Sequence, residues 1–316
     1  MKIYLLIILL GFIAFFILNI IYKKTNSYKN EIKQLEKFIN GVPKNLDIVN
    51  LGSSYARNAF EYKRLGINGF NFGLQPQSLS YDFRILKQYT QNLNKNCIVA
   101  VILPNLVFGF LDYKDDRVNT KYYYFLEPKY ILNFSKIKYF FKIYFPLLYT
   151  PKRVYRIFKD VEKVNLEQDK NLLTFEEVEK EAKNRVKSWE KQFNLKNMKN
   201  PEEIPEELRK IFLQTQSLLQ EIINYCRGNG FRPVVLVPPC SKIINDLISK
   251  EFLNEVLYKN ILKSKGETLF LDYLNNEEFQ DYRLYINSDM LNENGRIKFT
   301  KLFLKDLEEN GIKVGE

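Results

Sequence analysis

Five short runs rich in valine, isoleucine and leucine, separated by longer amphipathic stretches, constrain this chain most. They are residues 46–52 (LDIVNLG), 67–73 (INGFNFG), 97–104 (CIVAVILP), 232–239 (RPVVLVPP) and 267–273 (ETLFLDY). Near-continuous aliphatic runs of this length suit strands buried on both faces. The intervals between them carry helical spacing. In 78–92, Leu79, Phe83, Leu86 and Tyr89 share one face behind a candidate N-cap, Ser78. Residues 206–228, 241–264 and 291–310 also read as helices, the last with Ile297, Phe299, Leu302, Phe303 and Leu307 in one stripe. Such alternation predicts an α/β fold with an open parallel sheet, whose ligands bind outside the carboxyl ends of the strands. At 316 residues and 46% apolar content, the chain can bury a core of that size.

Two segments stand outside this pattern. Residues 3–22 carry no charge and end at Lys23 and Lys24. Twenty helical residues span about 30 Å, the thickness of a bilayer core. No small-x-small cleavage site precedes Lys23, so an uncleaved transmembrane anchor (1–24) is expected rather than a signal peptide. Ile32, Leu35, Phe38 and Ile39 then make a juxtamembrane stalk (25–45) that Gly41 and Pro43 stop. The flanking lysines point the domain inward by the positive-inside rule. The second segment separates the third and fourth strands and is far longer than one crossover needs, so 105–205 is read as a helical insertion in a domain spanning 46–316. Its part 121–158 is dense in Tyr, Phe and Lys, suited either to a membrane- or partner-facing cap or to ordinary helical packing. Its part 174–198 reads as a charged helix.

The net charge of +11 comes from dispersed lysines, with no zinc-finger spacing, arginine-rich arm or RNA-binding aromatic signature, so nucleic acid is not an expected partner. Cys97, Cys226 and Cys240 form no CxxC pair, and the chain has no histidine. A Cys/His metal site is thereby excluded, and neither a metal nor another cofactor is expected. Cys97 and Cys240 flank strands and read as small buried hydrophobes.

Chemistry concentrates at the strand ends. Ser53 and Ser54 directly follow the first strand, where the next backbone amides can stabilise an oxyanion. A helix N-cap would use the same serines. Gly73 ends the second strand and would let its amide approach a substrate closely. Asn105 ends the third, and residues 285–303 link the last strand to the last helix.

In their order and spacing these four stretches resemble the SGNH/GDSL hydrolase superfamily. The similarity is greatest to membrane-anchored members linked to cell-surface polysaccharide O-acylation and to the teichoic acid D-alanine transfer proteins. The resemblance implies a flavodoxin-like three-layer α/β/α sandwich. It makes Ser54 the nucleophile and the amides of Ser54 and Gly73 oxyanion donors, with Asn105 as a third and Ser53 among the oxyanion or binding residues. It also implies a bacterial cell-membrane protein with one span and an extracytoplasmic domain. Its partners would be a cell-surface glycan or acyl donor and a membrane-bound O-acyltransferase.

The fourth block departs from the family. Where the family carries Asp-x-x-His-Leu-Asn, this chain has Asn287-Ser288-Asp289-Met290-Leu291-Asn292. Asn287 thus replaces the orienting aspartate and Met290 the base histidine. A serine attacks an acyl carbon only if something accepts its proton, and a thioether cannot. Asp289 and Asp272 are candidate substitute bases, and a partner or the substrate is another source. Two functions follow. One is acyl transfer or ester removal on a surface polysaccharide through Ser54. The other is a pseudoenzyme that binds glycan or scaffolds a modification complex. A plain α/β domain with a capping GSS is a third reading.

Overall fold

The structure, a computed structural model, describes residues 2–112, 116–149 and 173–315. Among them, the helices of eight residues or more are α1 (Lys2–Lys24), α2 (Asn26–Lys33), α3 (Leu79–Tyr89), α4 (Lys136–Tyr144), α5 (Phe175–Gln192), α6 (Glu206–Gly228) and α7 (Glu293–Glu309). The chain forms two compact units, residues 1–42 with 114–166 and residues 43–113 with 167–316. The first half of the expected insertion therefore groups with the N-terminal segment, and the second half, carrying α5, with the sheet.

The larger unit is α/β. Its five strands are β1 (Leu46–Leu51), β2 (Gly69–Asn71), β3 (Leu93–Ile102), β4 (Arg232–Val237) and β5 (Leu269–Asp272), all parallel in the order β2-β1-β3-β4-β5. Side chains alternate between faces along a strand. Ile48, Ile98, Ala100, Ile102, Val234 and Leu236 form one face, buried against Phe299, Phe303 and Leu307 of α7 and against Phe60. Val49, Leu51, Val99, Val101, Val235 and Val237 face the other way and are equally buried, and α6 contacts both β4 and α3. Burial on both faces explains why the strands lack a polar alternation.

Two expected elements differ. β3 begins at Leu93 rather than residue 97, because Leu93 pairs with Leu46 across a register shift before Ile48. The helix expected over 241–264 breaks after Lys242–Asn245, where Ser249 accepts a hydrogen bond from the Phe252 amide at 3.0 Å and starts a new helix. Cys97, Cys226 and Cys240 are free and buried, and burial raises all three thiols, that of Cys226 to about 12.

In the smaller unit, α1 has a mean hydropathy of 2.8 over its most apolar window and is long and apolar enough to cross a membrane. The expected stalk is two helices, α2 and Glu36–Ile39. Thr25 caps α2 by accepting from the Tyr28 amide. The remainder is tied by the Lys142–Glu31 ion pair at 2.8 Å and by Phe38 stacked on Phe125. Of the aromatic-basic stretch 121–158, residues 150–158 lie outside the described residues.

Candidate functional site

The serine turn is built by Gly52. Its φ of +136° belongs to a region that side chains rarely adopt, and a Cβ there would lie 2.8 Å from Ala56 Cβ and 3.2 Å from Ile102 Cβ. Only glycine lets the chain leave β1 at that angle. Both of its peptide groups are then held. The Gly52 amide donates to Asp82 Oδ1 at 2.7 Å, and its carbonyl accepts from Gln77 Nε2 at 3.1 Å. Asp82 lies in the first turn of α3, 2% exposed, and also accepts from Gln77 Nε2. Ser53 and Ser54 follow, with Ser54 opening a one-turn helix, Ser54–Arg57.

That short helix is fixed from behind by two asparagines. Asn71 Nδ2 donates to the carbonyls of Ala56 and Arg57 at 3.0 and 3.1 Å, and Asn50 Nδ2 donates to Asn71 Oδ1 at 2.9 Å. Asn58 Nδ2 donates to the Ser54 carbonyl at 2.8 Å and to Met290 Sδ at 3.5 Å. Among the described residues, nothing hydrogen-bonds the Ser54 hydroxyl.

A cavity of about 170 Å³ opens in front of the turn. Ser53, Ser54, Asn105 and Met290 all line it, so four of the residues singled out from the sequence converge from three separate segments that follow β1, β3 and β5. Gly73 does not line it. Its amide donates to Asn71 Oδ1 at 2.9 Å, and a Cβ on it would sit 2.5 Å from the Arg57 nitrogen. The glycine serves close packing beneath the serine helix, and its N–H is already directed at a side chain.

The two candidate bases lie outside this lining as well. Asp289 is 1% exposed and accepts from the Tyr55 hydroxyl at 2.5 Å. Tyr55 donates to Oδ2; Arg185 Nε stands 3.4 Å from that same oxygen, and Arg185 Nη2 donates to Oδ1 at 3.4 Å. Burial pushes the Asp289 carboxyl above the usual range, and Arg185 draws it only part of the way back. Asp272 accepts from the Leu274 amide at the end of β5. Asn287 Oδ1 accepts from the amides of Asp289 and Met290 and so shapes its own loop.

α5 adds Arg185, Trp189 and Gln192 to the cavity lining, with Phe193 just beyond its end. α5 starts with a capping box between Thr174 and Glu177. It is held over the site by Arg185–Asp289 and by Glu181, which accepts from the Ser288 amide at 3.0 Å. The lining thus combines polar groups (Ser53, Ser54, Gln77, Asn105) with aromatic rings (Phe110, Trp189, Phe193). The sequence reading missed those rings, and missed Asp82, Gln77, Asn50 and Asn71. The only local signal for α5 was its charged helical pattern, which says nothing of its partner.

Among the described residues, no group of three or more Cys, Asp or Glu side chains is placed to hold a metal ion. No protein-family model matches the chain, and no curated protein matches it.

Proposed function

We propose that the chain is a membrane-anchored, SGNH-hydrolase-like domain of flavodoxin-like architecture. Its cleft holds a small sugar or ester-bearing group of a cell-surface polysaccharide without hydrolysing it. One observation carries this reading. Ser54 shares its cavity with Met290, a thioether that accepts from Asn58 Nδ2 and cannot serve as a base, and no described group hydrogen-bonds the Ser54 hydroxyl. Serine hydrolysis without a base retains only the weak catalysis of binding and the oxyanion donors. The sheet order, with the serine at the carboxyl end of β1, supports the fold assignment. The cavity supports the ligand class. At about 170 Å³ it is close to a cavity that takes one benzene ring, about 150 Å³. It therefore admits one ring or one acyl group, with both hydroxyl partners and the Trp189 ring in its lining.

A second reading is favoured by the open Ser54 hydroxyl. In it Ser54 carries an acyl group during transfer, and a membrane-bound O-acyltransferase supplies the base. Two variants separate the readings. Val107→Trp fills the cavity from its lining and is expected to weaken glycan binding at least about tenfold, or ~1.4 kcal/mol. Ser54→Ala is expected to weaken glycan binding less than Val107→Trp does, and a fluorophosphonate probe to leave the parent unlabelled. Labelling that depends on Ser54, together with altered surface-ester content in Ser54→Ala, would overturn the binding reading in favour of acyl transfer.

A further inference from the structure

We infer that residues 136–148 form a second membrane contact, an amphipathic wedge that beds into the bilayer beside α1. The inference rests on the reading of α1 as an anchor. It starts from Asn19, a polar residue in an uncharged run. Most of α1 is exposed, yet Asn19 is 2% exposed. Its Nδ2 donates to the Tyr144 carbonyl at 2.8 Å, and its Oδ1 accepts from the Leu147 amide at 3.3 Å. Lys23 Nζ donates to the Ile143 carbonyl at 3.0 Å. These are backbone groups at the break between α4 and the short helix Pro146–Tyr149. Non-helical backbone at lipid depth persists only where protein satisfies its polar groups. Here α1 does so with the amide side chain that its sequence otherwise leaves without a purpose.

Depth agrees. The Phe145 ring lies 6.1 Å from that of Phe15 and 6.3 Å from that of Phe16. Phe15 precedes Lys24 by nine residues, about 13 Å along a helix, against a half-core of ~15 Å. Phe145 is therefore level with acyl chains wherever Lys23 and Lys24 mark the membrane surface. From Phe145 the aromatic contact continues to Phe140 and on to Tyr144, at 5.8 and 5.1 Å. Phe140 is 48% exposed, Tyr144 54%, Ile137 70% and Leu148 47%. The opposite face of α4 is closed by Lys142, paired with Glu31. An apolar, aromatic face with Lys136 exposed at its start is the composition of an interfacial helix on an anionic bilayer. A soluble partner or a second copy would cover such a face without matching its depth to α1.

The test uses the full chain reconstituted into phosphatidylcholine–phosphatidylglycerol vesicles containing lipids brominated in the acyl chain. Trp189, the one tryptophan, is replaced by phenylalanine, and single tryptophans are introduced as Phe12→Trp, Phe140→Trp and Leu148→Trp. All three positions are exposed, so the fold should accept them. Quenching at 140 and 148 is expected to reach at least about half that at 12, with blue-shifted emission. Quenching at 12 with none at 140 and 148 would overturn the wedge and leave the anchor standing. No quenching at any of the three would overturn both.

Discussion

Gly52→Ala is the sharpest test of how the serine is presented. Two penalties add at this position. A φ of +136° holds the new side chain in a region close to glycine-only, worth about 1–3 kcal/mol. The new methyl also meets Ala56 Cβ at 2.8 Å and Ile102 Cβ and O at 3.2 Å, atoms of fully packed residues, and overpacking of this kind costs ~1–3 kcal/mol. The sum, roughly 2–6 kcal/mol, is a large part of the ~5–15 kcal/mol that stabilises a typical domain. Gly66→Ala is the control. Its φ is +68° and nothing lies within 4 Å of the added Cβ, so only the left-handed strain of about 1–2 kcal/mol applies. Thermal unfolding of the detergent-solubilised chain, followed by circular dichroism, should show Gly52→Ala melting on the order of 10 °C lower than the parent. Gly66→Ala should lose only a few degrees, roughly 2–6 °C. Equal melting of the two variants would refute the claim that the turn after β1 is closed against Ala56 and Ile102.

Two further outcomes follow from the same geometry. Burial raises the folded-state Asp289 carboxyl above its unfolded value, so the folded chain keeps a proton that the unfolded chain has lost. The contribution of Asp289 to stability is then fully present below the unfolded value, near pH 4, and is lost as pH rises through the folded value; the denaturant midpoint of the parent should fall across this range relative to that of Asp289→Asn. Met290→His places an imidazole at a position that lines the cavity with Ser54, and it should introduce Ser54-dependent fluorophosphonate labelling that is not expected of the parent. Absence of labelling in a folded Met290→His variant would show that residue 290 cannot reach the hydroxyl.

Much of the fold was legible before any coordinates. The five strands, α1, α3, α6 and α7 are written in local periodicity, because burial on one or both faces acts at spacings of two or three to four residues. The serine turn was legible for the same reason, since a strand that ends in glycine and two serines declares its own exit. The absence of histidine, and with it of an ordinary triad base, is a property of composition alone.

Tertiary structure decided the rest, through contacts between residues far apart in the chain. Gly73 was expected to end the second strand, but β2 stops at Asn71; the Asn71 side chain takes the Gly73 amide and the serine helix packs against it, which no strand pattern encodes. Asp289 adjoins Met290 and read as a substitute base in the sequence, but Tyr55 and Arg185 claim it, the latter from 104 residues away. Asn19 and Tyr144 meet across 125 residues. Periodicity reports which face of an element is buried, because that depends on nearby residues. It does not report what buries it, because that depends on where the chain returns.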